Sequence, residues 1–286
     1  MAHHLLFVAV PLVTVLGTWC ARWLALRHAR LDMPDRRRLH ALPTPRGGGL
    51  GLVLAWLMVL SAPALFHVDV FAHPSAAALA LALALVALVG ALDDRYDLSI
   101  RARLIVHVAA AASVAWSFLG SGRADEAFVP ALILLSFAGV ASINLHNFMD
   151  GLNGFLSLQA LFVLLALATL AGLRHDIGFA HACLLFASAL VAFLPFNFPA
   201  ARVFLGDVGS GSIGLVIGAM ILAAVDRDLL GWGSAVVLCS AFVLDAGATL
   251  LLRMRTTRLW PQGHRSHLYQ WLWRRRVGSS PRLPST

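Results

Sequence analysis

Nine stretches of about twenty predominantly apolar residues follow one another along the 286-residue chain, at about 5–26, 47–66, 74–92, 103–120, 128–146, 154–173, 177–196, 208–225 and 231–252. A helix needs about 20 such residues to cross the hydrocarbon core of a bilayer, and in lipid only helices and closed barrels satisfy every backbone N–H and C=O. Repetition at that length predicts an all-α fold: a polytopic membrane helical bundle of about nine to ten transmembrane helices, forming one integral-membrane domain over 1–286. Charge supports this reading. Only 13% of residues are charged, against roughly a quarter in soluble domains, too few to cover a globular surface. A soluble enzyme, a disordered chain and a secreted disulfide scaffold are excluded. So is a nucleic-acid binder, in spite of the net charge of +8, because all 22 basic residues are arginines set in short clusters between apolar runs. The first run lacks a charged leader and a small-residue cleavage site, so it reads as a retained helix and not a signal peptide. Cys20, Cys183 and Cys239 lie in separate runs without metal-ligand spacing and read as small buried hydrophobes.

The arginines also give orientation, because cytoplasmic loops carry the excess of positive charge. With the N-terminus outside, eighteen of the 22 arginines fall on the inner side, and only Arg123, Arg174 and Arg227 fall in outer loops. The chain is therefore expected to be N-out and C-in. The same sorting places eight of fourteen carboxylates at the inner face: Asp32, Asp35, Asp93, Asp94, Asp97, Asp150, Asp207 and Asp245.

Three short inner loops carry unusual chemistry. In Asp93-Asp94-Arg95-Tyr96-Asp97, adjacent carboxylates repel unless a cation compensates, and Asp97 would share a helical face with Asp93 or Asp94 if the helix continued. Such oxygen-rich clusters suit Mg²⁺, which takes one or two carboxylates plus water and substrate phosphate; neutralisation by Arg95 and Arg101 is the structural alternative. The loop 144–154, Asn-Leu-His-Asn-Phe-Met-Asp-Gly-Leu-Asn-Gly, offers amide donors and acceptors beside glycines that let a ligand approach the backbone. Gly206-Asp207-Val208-Gly209-Ser210-Gly211 opens a helix. Free N–H groups there suit phosphate, and a small-residue packing helix is the alternative, a role expected of Gly214 and Gly218. Two further segments complete the inner surface: the Pro- and Gly-punctuated turn 43–49 after a basic run, and His264-Arg265-Ser266-His267, whose histidines could share a helical face. Asp245, a costly intramembrane carboxylate, calls for a function or a buried partner such as Arg253.

The strings PTPRGGG (43–49), LDDRYDLS (92–99), NLHNFMDGLNG (144–154), FNFPAARVFLGDVGS (196–210) and HRSHLYQ (264–270), in this order and spacing, resemble the polyprenyl-phosphate N-acetylhexosamine-1-phosphate transferases, a group that includes phospho-N-acetylmuramoyl-pentapeptide transferase. They look most like the branch that starts O-antigen or other surface-polysaccharide chains. The resemblance implies a membrane enzyme that takes a UDP-N-acetylhexosamine and undecaprenyl phosphate, uses Mg²⁺ (Mn²⁺ as an alternative), and releases UMP. Its site would face the cytoplasm from the bacterial inner membrane, and a homodimer is compatible with the family. Carried over by position, Asp207 would bind the metal with help from Asp94, and Asp93 would act on or position the lipid phosphate. Asn147, Asp150 and Asn153 would line the nucleotide-sugar pocket with Asn197 nearby, and His264, Arg265 and His267 would close over the diphosphate. Asn153 stands where many members carry a second acid, which leaves hydrogen bonding there and removes charge. A secondary transporter is the rival class, since inner-face polar loops and an intramembrane acid also mark transport pathways.

Overall fold

The computed structural model describes residues 2–28, 31–33, 42–66, 73–120, 126–256 and 267–278. Eleven helices and one small hairpin make up these residues: α1 (Ala2–Arg27), β1 (Leu31–Asp32), β2 (Thr44–Pro45), α2 (Leu50–Phe66), α3 (His73–Tyr96), α4 (Ile100–Leu119), α5 (Phe128–Met149), α6 (Phe155–Leu173), α7 (Ile177–Asn197), α8 (Asp207–Asp226), α9 (Trp232–Leu238), α10 (Ser240–Thr256) and α11 (Leu268–Gly278). All nine apolar runs become helix. The chain is a polytopic membrane bundle, as its sequence predicts.

The count of full spans is smaller than nine among the described residues. Seven helices are long and apolar enough to cross a membrane, or eight if α9 and α10 count as one, and α2 is shorter. The ninth run is not one straight span, because α9 and α10 meet at an angle of 77°. On α10, beyond the bend, Asp245 lies against the first turn of α11, where backbone N–H groups satisfy a carboxylate that would be expensive in hydrocarbon.

At the centre runs α8, buried along most of its length. Small residues permit this. A side chain at Gly214 would strike the backbone of Ser142 and Ile143 on α5, and Ser142 Oγ donates to the Gly214 carbonyl at 2.7 Å. The packing role expected of Gly214 therefore holds, and Gly218 also lies against Ser142. On the α2–α7 side, Trp56 is fully buried and donates its indole N–H to the Phe186 carbonyl at 3.1 Å. Of the cysteines, Cys183 is buried as expected, but Cys20 is exposed on the bundle's flank and Cys239 sits half-buried at the bend.

Two details correct the local reading. The helical ladder of α3 runs through Asp93 and Asp94 and stops at Tyr96, with Asp97 left-handed at φ 51°. Asp97 therefore does not extend the helical face of its neighbours; Asp is one of the few side chains that tolerate this conformation. The basic turn before α2 also contains a short antiparallel hairpin, with Leu31 paired to Pro45 and Asp32 to Thr44.

Candidate active site

One end of the bundle collects the loops after α3, α5 and α7 with the 42–49 turn. Segment 45–49 lies along segment 204–205: Phe204 N donates to the Pro45 carbonyl at 2.8 Å, Gly48 N to Phe204 at 2.9 Å and Gly49 N to Leu205 at 3.0 Å. Glycine allows the approach, since a Cβ on Gly49 would meet the Gly209 backbone. From the other side, a Cβ on Gly90 would meet the backbone of Asp207 and Val208. That contact brings the end of α3 against the start of α8, one turn before Asp94.

Asp94 then does what its position dictates. Its carboxylate accepts from the backbone N–H of Asp207 at 3.1 Å and of Val208 at 3.3 Å. Those are among the unpaired donors of a helix N-terminus, where negative charge is favoured. Asp93 points elsewhere: Oδ1 accepts from Leu98 N at 2.7 Å, and Oδ2 pairs with Arg103 Nη1 at 2.6 Å. The same Nη1 lies 3.3 Å from Asp207 Oδ2, and the Asp93 and Asp207 side chains are within hydrogen-bond reach of each other. Arg46 stands behind them, 3.2 Å from Asp32 and 3.9 Å from Asp94. Arg103 and Arg46 were absent from the sequence-derived site. A charged side chain just inside an apolar run, as Arg103 is, was the available signal, since such a group needs a partner.

The loop after α5 supplies the amides. Asn147 Nδ2 donates to Ser210 Oγ at 3.1 Å, and its side chain reaches Asp207. Asn153 Nδ2 donates to the Pro199 carbonyl at 3.2 Å at the exposed rim. Asn197 is buried; its Oδ1 accepts from Gly154 N at 2.7 Å and its Nδ2 donates to the Val203 carbonyl at 3.0 Å. It clasps two loops together, so its polar atoms serve the backbone and not an open pocket. Burial pushes the Asp150 carboxyl up to about 7, against the pull of Arg46, with Asp94 adding to the rise. His267, at the start of α11, is buried, and desolvation holds its imidazole below the usual range although Asp245 opposes this. His264 and Arg265 lie outside the described residues.

The donor set can be tested against a divalent cation. Among the described residues no group of three or more His, Cys, Asp or Glu is placed to hold a metal by itself. Asp207 is the open carboxylate, its side chain 30% exposed against 7% for Asp93 and 10% for Asp94. Arg46 lies nearer Asp32 than Asp94, so the three carboxylates outweigh the guanidinium charge set against them. This fits Mg²⁺, which dehydrates reluctantly and takes few protein ligands, and does not fit an all-protein cage.

Along the bundle, a cavity of about 330 Å³ opens between α4, α5, α8 and the α9–α10 bend, reaching from Leu145 near the end of α5 to Leu222 and Trp232 towards the far end. Its walls are apolar, among them Val114, Leu135, Leu145, Leu222 and Val236.

The chain has relatives among known proteins. The chain is 31% identical to a decaprenyl-phosphate N-acetylglucosaminephosphotransferase of Mycolicibacterium smegmatis, over 88% of the chain and 70% of that protein. It is 32% identical to the protein of the same name from Mycobacterium tuberculosis, over 83% and 65%. An undecaprenyl-phosphate alpha-N-acetylglucosaminyl 1-phosphate transferase of Thermotoga maritima is 28% identical over 70% of the chain and 58% of its own length. The chain thus spans about two thirds of the length of these relatives. The profile of glycosyl transferase family 4 matches residues 76–225, which run from α3 through α8 and hold every carboxylate of the cluster except Asp32. With that match and those relatives, the chain belongs to glycosyl transferase family 4.

Proposed function

We propose that the protein transfers an N-acetylhexosamine-1-phosphate from a UDP-sugar to undecaprenyl phosphate at the cytoplasmic membrane face, releasing UMP and starting a lipid-linked glycan of the O-antigen or related surface-polysaccharide kind. The observation that carries this reading is the meeting of Asp93, Asp94 and Asp207, from two helices, at one end of a membrane bundle. An acceptor dissolved in lipid and a water-soluble nucleotide can meet only at such an interface. The arginine asymmetry supports assigning that end to the cytoplasm.

In the reaction, an oxygen of the lipid phosphate attacks the sugar-bearing phosphorus of the donor. The bond from that phosphorus to the oxygen bridging to UMP breaks, and UMP leaves with the electron pair. A phosphate monoester is largely ionised near neutral pH, its second pKa being about 6, so placing the nucleophile matters more than removing its proton. Asp207, supported by Asp94, would hold Mg²⁺, which supplies charge neutralisation for the phosphate oxygens. Asp93, fixed by Leu98 N and Arg103, bounds the nucleophile's approach. Arg103 sits between two acids and is placed to take up phosphate charge as it arrives. Asn147, Asp150 and Asn153 line the nucleotide-sugar side. The apolar cavity suits the isoprenoid chain.

Membranes containing the protein are expected to release UMP from a UDP-N-acetylhexosamine only when polyprenyl phosphate and Mg²⁺ are both supplied. Release without the lipid, or unchanged release after Asp207→Asn, would overturn the assignment. Mass analysis of the lipid product across a panel of UDP-sugars identifies the sugar.

A further inference from the structure

Asp245 is an acid within the ninth apolar run that the reaction leaves without a task. Its carboxylate lies where three backbone and side-chain groups of another element converge. Oδ1 accepts from Leu268 N at 2.8 Å and Oδ2 from Tyr269 N at 3.0 Å. His267 Nδ1 is 3.6 Å from Oδ1, and Thr249 Oγ1, one turn further along α10, is at 3.4 Å. The first turn of α11 is thus capped from a distance by α10, which satisfies two of its orphan donors.

A second contact holds the same turn from the other side. The Tyr269 ring stacks on Phe155 at 5.1 Å, and Phe155 lies 5.4 Å from Phe242, three residues before Asp245. Phe242 in turn meets His146 edge-on at 5.2 Å, in the last turn of α5. The Tyr269 hydroxyl reaches Gly151, where any side chain would collide with it. Asp150 precedes Gly151 and is close enough to bear on the phenol electrostatically. The start of α11 is therefore pinned over the loop that offers Asn147, Asp150 and Asn153.

We propose that Asp245 is a positioning residue: by capping α11 it holds His267 and Tyr269 against the Asp150–Gly151 loop and so completes the nucleotide-sugar side of the site. The inference rests on the transferase reading for its substrate and on the hydrogen bonds alone for the clasp. Loss of the cap should weaken binding of the nucleotide sugar and spare the lipid phosphate, whose proposed place is beside Asp93 on α3, itself held by Leu98 N and Arg103 and outside the clasp. Asn offers one acceptor oxygen where Asp245 uses two, so Asp245→Asn should retain only part of what Asp245→Ala loses.

The test uses the full-length protein in detergent or nanodiscs. Asp245→Ala should raise KM for the UDP-sugar roughly three- to thirtyfold, the range that loss of a helix cap spans, with KM for polyprenyl phosphate changed by less than about twofold. Hydrogen exchange at the Leu268 and Tyr269 amides should accelerate in Asp245→Ala and less so in Asp245→Asn, which keeps one acceptor oxygen. Equal rises in both KM values, or a fall in kcat alone, would overturn the positioning role, and unchanged exchange in the alanine variant would overturn the clasp. If the wild-type protein releases no UMP from any UDP-N-acetylhexosamine, the transferase reading fails. The exchange experiment then decides the clasp alone: faster exchange in Asp245→Ala supports it and unchanged exchange overturns it.

Discussion

The two ends of the bundle use the same residue types to opposite effect. At the end away from the carboxylate cluster, Arg227 Nε pairs with Asp176 at 3.3 Å while its guanidinium lies over the Phe179 ring at 4.9 Å. Asp176 also caps α7 by accepting from Phe179 N at 3.0 Å. One cation meets one anion, and the arrangement ties α7 to the end of α8. At the other end, Asp93 and Asp207 share one Arg103 nitrogen, and Arg46 is divided between Asp32 and Asp94. The Arg227–Asp176 pair is closed one to one, whereas in the cluster three carboxylates share Arg103 and part of Arg46, and that imbalance marks where charged ligands belong.

The largest effects should separate the ends by chemistry. Asp207→Asn and Asp93→Asn should each lower UMP release about a hundredfold or more, on the scale of losing a group that stabilises developing charge, whereas Asp176→Asn should leave it within about twofold. Comparable losses at Asp176 would break the contrast. Next comes packing: Gly90→Ala forces a methyl into the Asp207–Val208 backbone and should cost about 1–3 kcal/mol of stability together with activity. Gly172→Ala meets nothing within 4 Å and should do neither; thermal unfolding in detergent reads both. Arg227→Ala should cost only about 0–1 kcal/mol, the range of a partly exposed pair, and leave the turnover rate unchanged.

A further effect is a pH dependence. Burial raises the Asp150 pKa from its ordinary 3.8 to about 7, so the folded protein binds a proton there more tightly than the unfolded chain. Stability from this group is complete below pH 3.8 and is lost as pH rises towards 7. Asp150→Asn should therefore raise the melting temperature more at pH 8 than at pH 5. An equal shift at both would show that the carboxyl titrates normally.

Much of this was legible in the sequence because the signals were local. A run of twenty apolar residues announces a helix wherever it stands, and Asp93-Asp94 or Gly206-Asp207 is conspicuous in a chain with so few charges. The partners were not legible. Asp94 and the Asp207 N–H group are 113 residues apart, and nothing near Asp94 says that α8 will start beside it. Arg103 looked like a topology anchor until α3 and α4 were packed, and Asn197 looked like a ligand group until its amide was seen joining Gly154 to Val203. Asp97 failed because the face of a helix was extrapolated past its end. The bend at Cys239 was hidden by continuous apolar composition, although Asp245, seven residues after the α9 end at Leu238, was the clue.

The grip on α8 has a consequence for how the site holds together. Its first turn is held by Asp94 through two hydrogen bonds and flanked by glycine contacts from the 48–49 and α3 sides, so Asp207 keeps a fixed bearing to Asp93. The α11 side is joined through one carboxylate and a short stack of rings. The site is thus gripped firmly on the α8 side and lightly on the α11 side, so losing a single carboxylate can free the second without disturbing the first.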